Sequence, residues 1–212
     1  MKQQFAAKHP WTILAAGAAI QVLTGLPAAW GVFQKPVMAQ YGFSRGQAML
    51  SFAILVAGYG IGCAIGGFVQ DQHGPRYAAL WGTALLGGGS MGAALVPQGN
   101  AALFFLVYSI PAGVGSAFLA PAVLACAQKW YQDKKGWATG VAGVAMGLSG
   151  AFFTVFVRGV GGAWGIRVCF AALGAVMLVV CGAGALILQD PPLKAQSGPP
   201  QPGLDYKQML RT

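Results

Sequence analysis

Two short stretches carry side chains able to do chemistry in an otherwise apolar chain. The first is GGFVQDQHGPRYAAL, residues 66–80, where Asp71, His73 and Arg76 put an acid, an imidazole and a guanidinium within six residues. Such a set suits ion pairing or proton transfer. The second is Gly147-Leu148-Ser149-Gly150, a serine flanked by glycines. An activated serine needs a base within hydrogen-bond reach. His9 and His73 both lie at the margins of apolar runs, and no histidine follows Ser149. At ~1.5 Å per residue Ser149 would sit roughly 20 Å into its helix, with no base to serve it. It reads as a packing serine, and the chain as no enzyme.

Metal and cofactor chemistry find no foothold either. Cys63, Cys126, Cys169 and Cys181 are isolated within or beside apolar segments, and two histidines cannot complete a site. They read as small packing residues. Gly87-Gly88-Gly89-Ser90 mimics a phosphate loop, but no lysine follows and it lies inside an apolar run. No catalytic residue, metal or cofactor is expected.

The elements that must position these residues follow from composition. Of 212 residues, 56% are hydrophobic and 8% charged, and glutamate is absent. A soluble domain carries about 25% charged residues, so this composition implies a polytopic membrane protein. The net charge of +9 does not imply nucleic acid. The basic residues stand singly or in pairs between apolar runs rather than in a stripe interleaved with aromatics. The first apolar run is too long for a cleavable signal peptide and lacks a clear cleavage site.

Six apolar segments can be drawn, at about 11–32, 47–69, 77–96, 101–126, 136–157 and 166–188. Each is close to the ~20 residues that cross ~30 Å of hydrocarbon, and none has a charge in its interior. With the N-terminus inside, Lys2, Lys8, Arg76, Lys129, Lys134, Lys135, Lys194, Lys207 and Arg211 gather on the cytoplasmic side. Lys35, Arg45, Arg158 and Arg167 remain outside. This asymmetry satisfies the positive-inside rule and places both termini in the cytoplasm. Asp71, Asp133, Asp190 and Asp205 also fall on the inner side. Gly58, Gly62 and Gly66, and again Gly143 and Gly147, form small-xxx-small ladders expected to pack helix on helix.

The two halves of the chain echo each other at a common offset. Arg45-Gly46-Gln47-Ala48 matches Lys135-Gly136-Trp137-Ala138, Gly74-Pro75-Arg76 matches Gly165-Ile166-Arg167, and Ala78-Ala79-Leu80 matches Ala171-Ala172-Leu173. Three segments separate the copies, so the second would be inverted in the bilayer. The expected fold is an all-α membrane bundle of six transmembrane helices built as a 3+3 inverted repeat. It occupies residues 1–188. Residues 189–212, with DPPLKAQSGPPQPG at their start, form a cytoplasmic linker.

Gly67-x-x-x-Asp71-x-x-Gly74-x-Arg76 resembles the loop signature of the major facilitator superfamily, departing from it at Gln72 and Tyr77, where basic residues are usual. Tyr108-x-x-x-x-Gly113-x-Gly115 running to Pro121 is similar to the oxalate:formate antiporter branch. So are Lys129-Trp130-Tyr131-x-Asp133-Lys134-Lys135-Gly136-x-Ala138-Thr139-Gly140 and Trp30-x-x-Phe33 with Pro36. Gly25-Leu26-Pro27 and Gly31-Val32-Phe33 resemble the neighbouring monocarboxylate transporters. Ala28 stands where the antiporter branch commonly has tyrosine.

The resemblance implies twelve spans in two six-helix halves, in a cytoplasmic (inner) cell membrane, with a small organic anion held between the halves. This chain matches the first half, so a second half, or a second copy, is an implied partner. Spans one, two, four and five would line the cavity. Their polar residues Gln21, Thr24, Trp30, Tyr59, Tyr108, Ser109, Ser116, Ser149 and Thr154 are the substrate-cavity candidates, each alternatively a helix–helix contact, and Trp30 alternatively an interfacial anchor. Gly67, Asp71, Gly74 and Arg76 would form a gating loop. Asp71 would latch onto the second half, with Arg76 as a local counter-charge, or the two would form a solvated turn. A channel is disfavoured by the lack of any filter-like motif, and a membrane scaffold without transport stays open.

Overall fold

Glycine and proline punctuate this chain at the places where its helices start and stop. The computed structural model describes residues 10–189, and among these it contains helices and turns only. α1 (Pro10–Thr24) gives way to turns at 25–29 and then to α2 (Trp30–Tyr41). Pro27 has no N–H to continue the ladder. The break is bridged by mixed bonds, Ala29 N to Gly25 O (3.2 Å) and to Leu26 O (3.1 Å), and Trp30 N to Pro27 O (3.3 Å). The sequence draws one segment ending near Val32. The chain instead breaks early and resumes as a helix to Tyr41, which puts Lys35 inside a helix rather than in a loop.

Gly42 ends α2 in the left-handed region (φ 70°), and Ser44 with Gln47 builds a capping box for α3 (Arg45–His73). Gly74 (φ 86°, ψ 165°) turns the chain, and Pro75 opens α4 (Pro75–Leu95) as its first residue. Asn100 caps α5 (Ala101–Phe104), accepting from Leu103 N at 3.0 Å. A π-helical turn (Phe105–Ser109) then leads into α6 (Ile110–Trp130), with Pro111 at its start. After a 3₁₀ turn (Gln132–Lys134) come α7 (Lys135–Gly147), α8 (Ser149–Phe156), a second π-helical turn (Val157–Gly161) and α9 (Gly162–Ile187). Gly165 interrupts α9 with φ 83° and ψ 162°.

By length and apolarity four helical stretches can each cross a membrane: Arg45–His73, Pro75–Leu95, Ala101–Trp130 and the 56-residue Gln132–Ile187. The six segments of the sequence differ from these four for two physical reasons. The first segment is divided at residues 25–29, and the last two run together through Gly165.

α4 lies along both α6 and α9, α3 lies along α6, and α1 touches α6, α7 and α9. Backbone proximity makes these contacts possible. A methyl group at Gly62 would lie 2.8 Å from Ala117 Cβ and 2.9 Å from Val114 Cα, and one at Gly115 would lie 2.7 Å from Gly82 O. The ladder on α3 is therefore a packing ladder. The ladder on α7 is not. Gly143 and Gly147 are exposed, and a methyl group on either would meet nothing within 4 Å among the described residues. α7 turns Ala138, Ala142 and Ala145 inward instead, and its glycines fall on the opposite side.

Both ends of the described chain lie at one end of the bundle. Trp11 stacks edge-on against Trp137 (5.2 Å), and Trp130 Nε1 donates to Gln189 O at 2.7 Å. At the other end Gly99 N donates to Tyr41 O (2.8 Å), and Arg167 Nη2 donates to Val96 O (2.9 Å). Lys2, Lys8, His9, Asp190, Lys194, Asp205, Lys207 and Arg211, with most of the expected linker, lie outside the described residues.

Candidate functional site

The loop at residues 67–76 is built by two helices and one turn. Asp71 is in the last turn of α3 and Arg76 in the first turn of α4, with Gly74 between them. An acid at a helix C-terminus and a base at an N-terminus each oppose the partial charge of their own helix. Both side chains are exposed. Among the described residues neither forms an ion pair, and the turn at Gly74 starts a new helix between them. His73 is exposed and stacks on Tyr77 at 5.3 Å.

Several of the polar candidates hydrogen-bond within the bundle. Gln21 Nε2 approaches Ala120 O at 3.5 Å, and the Thr24 hydroxyl lies 2.8 Å from Gln21 Oε1 and 3.1 Å from Gln21 O. Trp30 Nε1 donates to Ala48 O (3.2 Å), and Ser109 shares a 2.8 Å hydrogen bond with Ser51. Each of these ties one turn or helix to another. Tyr108 is buried among Trp30, Phe104 and Phe170, with ring centroids 5.0–5.7 Å away, and its hydroxyl has no hydrogen-bond partner among the described residues. The Ser116 hydroxyl is likewise buried, with no partner among the described residues. Tyr59 is half-buried on α3.

Ser149 marks the point where α7–α8 meets the break between α1 and α2. Its hydroxyl donates to Gly25 O at 3.4 Å, joining the break between α1 and α2 to the junction of α7 and α8, where Leu148 N to Val144 O (2.9 Å) and Phe152 N to Leu148 O (3.0 Å) carry the helix on. A methyl group at Gly25 would collide with the Ser149 side chain and lie 3.1 Å from Met146 O. Only glycine lets these backbones approach. Thr154 Oγ1 donates to Gly150 O (2.7 Å) and borders a cleft of about 550 Å³ that also receives Lys35 and Arg158. The sequence ranks neither cation as a site residue, because the first and fifth segments are drawn to end before Lys35 and Arg158. Proline at 36 and glycines at 159, 161 and 162 were the available signals.

The family model described as Major Facilitator Superfamily matches residues 11–211. The chain belongs to this superfamily. An uncharacterized 38 kDa protein in the 23S RNA operon of Thermoproteus tenax is 30% identical over 179 residues, covering 84% of this chain and 46% of that protein. An MFS-type transporter 1 of an Ophiocordyceps species is 30% identical over 169 residues, 74% of this chain and 36% of its own length. The oxalate:formate antiporter of Oxalobacter formigenes is 24% identical over 173 residues, 80% of this chain and 40% of its own. The chain spans less than half the length of these three relatives. Superfamily membership fits the apolar helices: this is a multi-pass membrane protein of a family of transporters, not of enzymes.

Proposed function

We propose that the chain is one six-helix half of a carrier that moves a small organic anion, a mono- or dicarboxylate such as oxalate, formate or lactate, by alternating access. The observation that carries this is the break between α1 and α2 at Gly25, packed against α7–α8 at Ser149. A discontinuous helix packed within the bundle is where transporters of this type place their sites. The match to an oxalate:formate antiporter supports the carboxylate class.

Six crossings are the finer reading. A straight helix of 56 residues would be roughly 84 Å long, far more than the ~30 Å hydrocarbon core, so Gln132–Ile187 serves as two crossings divided at Gly165. α1 and α2 together make another. An inverted repeat is supported by the backbone at two matched glycines: Gly74 has φ 86° and ψ 165°, Gly165 has φ 83° and ψ 162°. The basic asymmetry supports a cytoplasmic face at the Asp71 end, in an inner membrane. A second half as partner is supported by the open glycine side of α7 and by the exposed Asp71 and Arg76, which form no ion pair among the described residues.

Exchange in liposomes loaded with oxalate, formate or lactate tests the proposal. The 212-residue chain should exchange none of them by itself, since an organic anion in mid-membrane needs counter-charge and alternating access needs two bodies. The chain joined to the second half of the Oxalobacter formigenes antiporter should exchange at least one. Saturable exchange by the single chain would overturn the half-carrier reading. A joined protein that inserts normally yet exchanges none would favour a scaffold.

A further inference from the structure

We propose that the cleft between α2 and the π-helical turn after α8 is a binding site for a small carboxylate, held by Lys35 and Arg158. The cleft measures about 550 Å³, within the ~300–1,000 Å³ typical of small-molecule sites. Lys35 and Pro36 border it from α2, and Thr154, Arg158 and Gly161 from the opposite side. A π-helical turn widens the helix locally at Arg158. Gly162, also in the lining, adds no side chain to the cleft; a methyl group there would meet nothing within 4 Å among the described residues.

Charge makes this cleft specific for anions. Both cations are exposed, and neither makes a hydrogen bond or ion pair among the described residues. Arg167, by contrast, is already engaged with Val96 O and with the Tyr41 ring, 5.6 Å from its centroid. The described acids are Asp71 and Asp133. Asp71 stands 26 residues along α3 from Arg45, roughly 39 Å at ~1.5 Å per residue, and Asp133 follows the far end of α6. The screening length at 0.1 M salt is about 10 Å, so no described carboxylate competes for Lys35 or Arg158. Thr154 has committed its proton to Gly150 O, so recognition falls to the two cations. Two positive groups on opposite walls favour an anion with two carboxylates over one with a single carboxylate.

The site deepens the transport proposal by giving its substrate an entry point. It depends on that reading for its role but not for its existence. A lipid phosphate offers related chemistry, so the test starts without anionic lipid. Radiolabelled oxalate is dialysed to equilibrium against the 212-residue protein in phosphatidylcholine nanodiscs at low salt. Saturable binding is expected, weaker by about three- to fivefold in Lys35→Gln and in Arg158→Gln, as suits exposed charge pairs. Lys35→Arg and Arg158→Lys should restore it, which separates lost charge from lost folding. Arg45→Gln removes the same charge at the same end, outside the cleft, and should bind as the parent does. Equal weakening by Arg45→Gln would overturn the site in favour of a diffuse field. No oxalate binding, with phosphatidylglycerol retained by the parent and lost in Lys35→Gln, would overturn it in favour of a lipid site. Exchange by the joined carrier with an oxalate KM unchanged in Lys35→Gln would overturn the site and leave the transport reading standing. Cleft-dependent binding without exchange would do the reverse.

Discussion

At Gly62 an added methyl group would press on Ala117 Cβ and Val114 Cα at 2.8 and 2.9 Å, whereas at Gly143 it would meet nothing within 4 Å. Two positions alike in sequence context therefore respond differently. Gly62→Leu should lower the thermal stability of the detergent-solubilised chain by about 1–3 kcal/mol or more, the usual cost of overpacking. Gly143→Leu should leave the melting temperature of the isolated chain unchanged and should block exchange in a carrier joined to its second half. Asp71 gives a second prediction. Its carboxylate opposes the α3 dipole and has no described ion-pair partner, so Asp71→Asn should leave insertion intact and stability equal or slightly higher. Uptake by a joined carrier should fall about tenfold if Asp71 makes one charge-assisted bond to the other half, worth ~1.5 kcal/mol. Unchanged uptake at normal expression would assign Asp71 to a solvated turn. The residue types of the candidate site were legible in the sequence, but their engagement was not. Whether a hydroxyl such as that of Ser109 faces a cavity or the hydroxyl of Ser51 depends on the rotation of two helices about their axes, which apolar segments with little polar contrast leave unmarked.

Gly74 and Gly165 do at the level of elements what no other residue type can do there. Each holds φ above 80° with ψ above 160°, a region populated almost solely by glycine. Gly74→Ala and Gly165→Ala should each destabilise the bundle by about 1–3 kcal/mol, read as a lower midpoint in thermal or denaturant unfolding. A loss at only one of the two would show that the turns are not equivalent in load. Helix existence was legible from apolar length, and the starts of α3 and α4 from Ser44 with Gln47 and from Gly74-Pro75. The break at residues 25–29 was hidden inside a run that stays apolar through Pro27, and apolarity alone does not register a lost backbone bond. The extension of α2 to Tyr41 was hidden by Lys35 and Pro36, which look like a loop until the helix end at Gly42 is seen.

For the whole molecule, the placement of both described chain ends at the Asp71 end makes sidedness a single binary question. In a Cys63→Ser background, cysteines at Gln98 and Gln132 report opposite ends of the bundle. An impermeant thiol reagent added outside intact cells should modify the Gln98→Cys protein and spare the Gln132→Cys protein. The reverse pattern would invert the orientation drawn from the basic residues.

The bare side of α7 has a dynamic consequence. Four glycines, Gly136, Gly140, Gly143 and Gly147, fall within its thirteen residues, and each lowers helix propensity by about 1 kcal/mol relative to alanine. No described neighbour packs on that side to compensate. α7 should therefore open locally at a free energy well below that of the buried α6, and its backbone amides should take up deuterium sooner than those of α6. Docking of a second half onto this side should slow that uptake selectively, so the exchange rate of one helix becomes a clock for assembly of the complete carrier.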